Sequence, residues 1–110
     1  DKEMRYVAVR VICIFDLPVT TDNERRAYRR FRKFLIENGF EMLQYSVYIR
    51  TCPNRSFANK FYYRIKQNAP RKGDIQLLTI TEKQFEDMIH IVCDDKEKQK
   101  ILGSENLVII

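Results

Sequence analysis

Two sets of residues have types and spacings that can do chemistry. The first is Asp16. It ends the run Tyr6-Val7-Ala8-Val9-Arg10-Val11-Ile12-Cys13-Ile14-Phe15 and is followed by Leu17-Pro18. Both alternating sets of that run are apolar, and Arg10 is the one interruption. Such a run predicts a central strand covered on at least one face. Asp16 then stands where a buried strand emerges, a position that rigid scaffolds use for ligand and catalytic groups. A turn is the competing reading, since Asp and Pro are both turn formers.

The second set is basic. Arg25, Arg26, Arg29, Arg30, Arg32 and Lys33 fall within three helical turns, and Asp22, Glu24 and Glu37 lie only at the ends of the segment. Ala27, Tyr28, Phe31, Phe34 and Leu35 form an apolar stripe at helical spacing. Arg26, Arg29 and Lys33 lie on a line directly away from that stripe. Phosphate binding needs several cations on one surface, and the guanidinium fork matches phosphate geometry. Arg25, Arg26, Arg29 and Lys33 are therefore candidate phosphate contacts that do not read sequence. A solvated face that keeps the protein soluble is the alternative. Arg71 and Lys72, on a polar turn, are further candidates.

The elements that must position these groups can be read in order. Thr21-Asp22-Asn23-Glu24 is a capping box that starts the basic helix, which runs to Asn38 and stops at Gly39. Phe40-Glu41-Met42-Leu43 and Ser46-Val47-Tyr48-Ile49-Arg50 read as strands, with Gln44-Tyr45 turning between them. A second helix is expected from about Phe57 to Asn68, burying Phe57, Ala58, Phe61 and Ile65 and ended by Pro70. Ile75 to Ile80 is a strand. Thr81-Glu82-Lys83-Gln84 repeats the capping box and predicts a third helix with Phe85, Met88, Ile89 and Val92 on one side. Asp94 to Lys100 is a solvated charge run, and Asn106 to Ile110 is strand-like and expected to pair with a sheet, of this chain or another. The order strand, helix, strand, strand, helix, strand is that of the ferredoxin-like arrangement. The expectation is one α+β domain over 1–110, with a core of about 5–80 and a C-terminal helix and strand extension over 81–110.

The bulk numbers narrow the function class. The chain has 110 residues, 45% of them hydrophobic, enough for one core and not two. No apolar run nears the roughly 20 residues of a membrane span, so no membrane partner is expected. No apolar segment with a small-residue cleavage site follows Asp1-Lys2-Glu3-Met4, so no signal peptide is expected there. Cys13, Cys52 and Cys93 are far apart and form no CxxC pair, which argues against a disulfide framework and a zinc site and for a reducing cytoplasm. A net charge of +5 favours a polyanionic partner.

Ile14-Phe15-Asp16-Leu17-Pro18, Tyr28-Arg29-Arg30-Phe31-Arg32-Lys33-Phe34-Leu35 and Gln44-Tyr45-Ser46-Val47-Tyr48, in this order and spacing, resemble the CRISPR-associated protein two family. Leu77 to Phe85 looks like the branch that accompanies type II systems. The resemblance covers nearly the whole chain. It implies a ferredoxin-like homodimer and a partner, the CRISPR-associated integrase (protein one), in a heterohexamer-type complex that holds double-stranded prespacer DNA for insertion into the CRISPR array. The family is also described as magnesium-dependent endonucleases of RNA or duplex DNA, and the residue matching its metal-binding aspartate is Asp16. Mg²⁺ takes hard oxygen ligands and may use only one or two carboxylates. Three readings stand: a DNA-binding scaffold, an endonuclease acting through Asp16, and a toxin-like ribonuclease or regulatory domain on the same fold. Ser46 and Tyr48 match the family motif but read as structural. His90, between Ile89 and Ile91, reads as a packed or exposed helix residue. Tyr62 and Tyr63 have the chemistry to stack on bases, yet their spacing beside Phe61 reads as partly core.

Overall fold

The computed structural model describes residues 8–93 and the backbone of 107–109. Its first strand, β1 (Val9–Asp16), is followed by helix α1 (Asp22–Glu37), strands β2 (Glu41–Gln44) and β3 (Val47–Cys52), helix α2 (Arg55–Asn68) and strand β4 (Asp74–Thr81). A short helix α3 (Glu82–Glu86) and strands β5 (His90–Val92) and β6 (Leu107–Ile109) complete it. The first four strands form one antiparallel sheet in the order β2-β3-β1-β4. This is the ferredoxin-like βαββαβ arrangement with the expected extension. Residues 5–7 of the expected core and the charge run from Asp94 lie outside the described residues.

β1 is central, between β3 and β4, which explains why its sequence is apolar on both sides. Its odd-numbered residues Val9, Val11, Cys13 and Phe15 are buried in one core with Phe31 and Leu35 of α1 and Ala58, Phe61 and Ile65 of α2. Both long helices therefore cover the same face. Each Val, Leu, Ile or Phe side chain among them adds about 1.5–3 kcal/mol by leaving water. Phe15 sits at the centre of an aromatic group, edge-on to Phe31 and stacked on Tyr48.

The helix ends follow local chemistry. Thr21 and Glu24 form the reciprocal capping box of α1. Gly39, at φ 85°, closes the other end. Its N–H donates to the Ile36 carbonyl and that of Phe40 to the Leu35 carbonyl, the paired bonds of a Schellman motif. Ala69, before Pro70, is extended at ψ 140°, as the proline ring requires.

Two expectations are corrected. The hairpin turns at Tyr45-Ser46, not Gln44-Tyr45, because Gln44 pairs with Val47 across a register shift in β2. Ser46 takes the turn's left-handed position, φ 62°. The third helix is also shorter than expected: it ends at Glu86, and His90 to Val92 form a strand. Ile89, Ile91 and Val92 are β-branched, which favours extended backbone. Ile91 is exposed and Val92 buried, the alternation of a strand. The C-terminal strand pairs in parallel with β5 of its own chain.

The other face of the sheet carries the even-numbered residues of β1. Arg10 no longer reads as an interruption. It points to this side, pairs through two N–H donors with the Glu82 carboxylate at 2.6 and 3.3 Å, and lies 3.8 Å over the Phe85 ring. These interactions hold α3 against the sheet. Further along, Ile12 and Ile49 are buried, while Ile14 and Leu78 remain 39% and 52% exposed.

Candidate nucleic-acid interface and strand-end carboxylates

Asp16 is the last residue of β1 and is exposed. Side chains alternate along a strand, so it faces the same side as Ile12 and Ile14, away from the long helices. Two neighbours hold its backbone in place. The Phe15 N–H donates to the Ser46 carbonyl at 3.0 Å, tying the strand end to the hairpin turn. On the other side, Asp16 is directly opposite Asp74, the first residue of β4. Opposed residues of an antiparallel pair have Cα atoms about 4.5–5.5 Å apart. Asp74 is the functional candidate that sequence reasoning missed. Its only local signal is a turn aspartate after Gly73; the sheet register alone makes it the partner of Asp16.

Gly73 enforces that register. Its φ is 111°, and a Cβ there would sit 2.8 Å from the Asp16 carbonyl oxygen and 2.6 Å from Leu17 Cδ2. Only glycine lets the α2–β4 turn approach the end of β1 so closely. The two carboxylates supply the hard oxygen donors that Mg²⁺ prefers. Among the described residues, no three His, Cys, Asp or Glu side chains cluster as a metal site. Two carboxylates are a small donor set, so a cation held there would have to take most of its ligands from water. Such a cation would neutralise two like charges that otherwise repel across the strands.

The basic face of α1 is sorted by its bonds. Arg25 is tied down: its guanidinium donates to the Val19 and Thr20 carbonyls at 3.1 and 2.9 Å and to the Asp22 carboxylate. Arg32 donates from Nε to the Tyr48 hydroxyl at 2.7 Å. Arg26, Arg29, Arg30 and Lys33 are exposed, and among the described residues their side chains make no ion pair or hydrogen bond. Arg26, Arg29 and Lys33 form the row opposite the buried Phe31 and Leu35.

Arg71 and Lys72 join this surface through a groove of about 510 Å³ between the start of α1 and the α2–β4 turn. Arg30, Arg71 and Lys72 line it beside Leu17, Pro18, Tyr28 and Pro70. Glu24 also lines it, but its carboxylate already accepts from the Thr20 and Thr21 N–H groups at 3.0 Å. The Thr21 bond, with Thr20 and the Lys72 charge adding to it, holds the Glu24 carboxyl below its ordinary value.

The remaining candidates take structural places. Tyr48 is buried against Phe15. Tyr62 packs on the core and hydrogen-bonds through its hydroxyl to Thr79, whereas Tyr63 is exposed. His90 is half-buried at the start of β5. Cys13 and Cys52 are buried and Cys93 exposed, all as free thiols. Among the described residues, no helix is long and apolar enough to cross a membrane.

Comparison with known proteins places this geometry in a family. A family model described as CRISPR associated protein Cas2 matches residues 9–88. The chain is 46% identical over 102 residues to a protein of Ligilactobacillus salivarius named CRISPR-associated endoribonuclease Cas2, an alignment covering 93% of this chain and all of that one. A protein of the same name from Streptococcus mutans is 51% identical over 83 residues, 76% of either chain. One from Lacticaseibacillus rhamnosus is 42% identical over 102 residues, 93% of this chain and 99% of that one.

Proposed function

The chain belongs to the CRISPR associated protein Cas2 family, and on that premise we propose that it is a spacer-acquisition subunit whose dimer binds prespacer duplex DNA and bridges integrase dimers. The observation that carries this reading is the row Arg26, Arg29 and Lys33, exposed on the outer face of α1 and without ion-pair partners among the described residues. Six cations with so few acids are more than solubility asks of one helix, and unpaired guanidinium groups release counterions when they meet phosphate. Arg71 and Lys72 extend the same charge across the α2–β4 turn. Arg25 braces the helix start, and its neighbours make the phosphate contacts. The half-exposed Ile14 and Leu78 support the dimer, since an apolar patch on an open sheet face is matched by a second copy of itself.

A second reading, a metal-dependent endonuclease, is favoured by the Asp16–Asp74 pair and by the relatives' printed name. Asp16 and Asp74 would hold Mg²⁺, and when bound it would supply a polarised water and shield phosphate charge. This chain's own contribution is to present two carboxylates on one rigid sheet end.

Reconstituted spacer integration separates the two. The purified integrase, a short duplex and a CRISPR-repeat DNA would be incubated with wild type, Asp16→Asn, Asp74→Asn, or the triple variant Arg26→Ala, Arg29→Ala, Lys33→Ala. The scaffold reading expects both aspartate variants to integrate normally and the triple variant to fail. Loss of integration in either aspartate variant, with duplex binding intact, would overturn it in favour of metal chemistry.

A further inference from the structure

The groove at the start of α1 has features that a flat phosphate-tracking surface does not need. It is recessed, and its volume of about 510 Å³ lies in the range of small-ligand sites. Its lining includes the apolar Leu17, Pro18 and Pro70 and the Tyr28 ring. That ring packs against the buried Phe15, at 5.9 Å between centroids. The lining also holds Arg30, Arg71 and Lys72, none of them ion-paired among the described residues, although the Lys72 charge acts on Glu24. The acidic lining residue, Glu24, has its carboxylate turned into the capping box. Arg26, Arg29 and Lys33 do not line the groove, so it is separable from the duplex-binding row.

An aromatic ring and cations without ion-pair partners in one groove are the complement of a single unstacked nucleotide: the ring for its base and the cations for its phosphate. We propose that this groove binds one nucleoside 5′-phosphate per protomer, either free or as the phosphorylated end of a strand. The proposal rests on nucleic acid being the partner of this surface, and it adds a discrete nucleotide site to that reading. A duplex tracked only through its backbone needs no recess. A strand end lodged here would fix where along α1 the nucleic acid stops.

The test is calorimetric titration of the full chain with adenosine 5′-monophosphate, adenosine and inorganic phosphate. A parallel arm uses a short single strand with and without its 5′-phosphate. The variants are Ala27→Phe, which fills the groove and leaves every cation in place, and the double change Arg71→Ala, Lys72→Ala on the exposed turn. The nucleotide is expected to bind saturably and at least about tenfold more tightly than adenosine or phosphate. Both variants are expected to lose about that factor, while Ala27→Phe keeps wild-type duplex binding. A 5′-phosphate preference that Ala27→Phe abolishes identifies a strand end as the source; a response to the free nucleotide alone identifies the other. Phosphate binding as well as the nucleotide, or Ala27→Phe leaving nucleotide affinity unchanged, overturns the site. Failure of wild-type duplex binding with nucleotide binding intact would instead sink the scaffold reading and leave the groove standing.

Discussion

At the scale of single residues, glycine and cysteine carry the sharpest consequences. Gly39 and Gly73 both sit at positive φ, but what a Cβ would meet differs. At Gly39 it meets the Nε of Arg50 at 2.9 Å, a side-chain group that donates to the Asn38 carbonyl and lies over the Phe61 ring. At Gly73 it meets the Asp16 carbonyl, fixed backbone of the central strand. Both substitutions carry the left-handed penalty of about 1–2 kcal/mol, and Gly39→Ala also displaces Arg50 from the Asn38 carbonyl. Gly73→Ala should cost clearly more, because the atom it meets is main chain that no side-chain rotation clears, and urea titration of the two variants reads the order directly. Cys13 is wholly buried, and burial pushes its thiol up from 9.0 to about 12. The folded state thus keeps this proton to higher pH than the unfolded chain. Its contribution to stability is complete below about pH 9 and is lost as pH rises from there toward 12. Wild type should lose more stability than Cys13→Ala between about pH 9 and 11, measured as the denaturation midpoint against pH. In native buffer a thiol reagent should modify Cys93 and spare Cys13.

At the scale of elements, α1 divides into a brace and a binding row. Sequence spacing alone grouped Arg25 with Arg26, Arg29 and Lys33, because a helical projection shows which side a residue faces and not what its side chain already holds. The bonds from Arg25 to the Val19 and Thr20 carbonyls belong to the loop that delivers β1 into α1. Arg25→Ala is expected to lower the thermal midpoint and leave the salt dependence of duplex binding near that of wild type. The triple change of Arg26, Arg29 and Lys33 is expected to do the reverse. It should flatten the slope of log affinity against log salt by about 0.9 for each phosphate the protein no longer neutralises. The C-terminal elements carry a weaker local signal. The helical stripe of Phe85, Met88, Ile89 and Val92 runs into the strand His90 to Val92, and Val92 belongs to both. Pairing with β6, well separated in sequence, favours the strand; the sequence marks Asn106 to Ile110 as strand-like but does not say which strand it pairs with.

At the scale of the whole molecule, the two faces of the sheet are unequal. One is covered by α1 and α2. The other is partly covered near Arg10 by α3 and leaves Ile14 and Leu78 half exposed beside Asp16. If a second copy covers that patch, a charge placed within it must separate the protomers, because an unpaired carboxylate buried in an interface is costly. Leu78→Glu should shift the sedimentation coefficient to that of a monomer while circular dichroism keeps the folded signature. A variant that remains dimeric would place the interface elsewhere. The same face carries Asp16, so the dimer and any metal chemistry would share one surface.

Local rules were enough for much of this protein. A capping box and a C-terminal glycine set the bounds of α1 and a proline the end of α2, because the backbone groups involved lie within a turn of them; the start of α2 is at Arg55, where Asn54 caps it, and not at about Phe57 as expected. The apolar periods named the core face of both helices and the centrality of β1, and the charge pattern singled out α1. Tertiary structure alone decided the rest. It set Asp74 opposite Asp16 through a register that Gly73 permits, engaged Arg25 and Arg10 with partners, and joined Arg71 and Lys72 to Arg30 around a groove. Apart from the short reach of Arg25 into its own loop, the deciding interactions span residues distant in sequence. Side-chain type and spacing specify what a residue can do, and only the packed chain specifies what it meets.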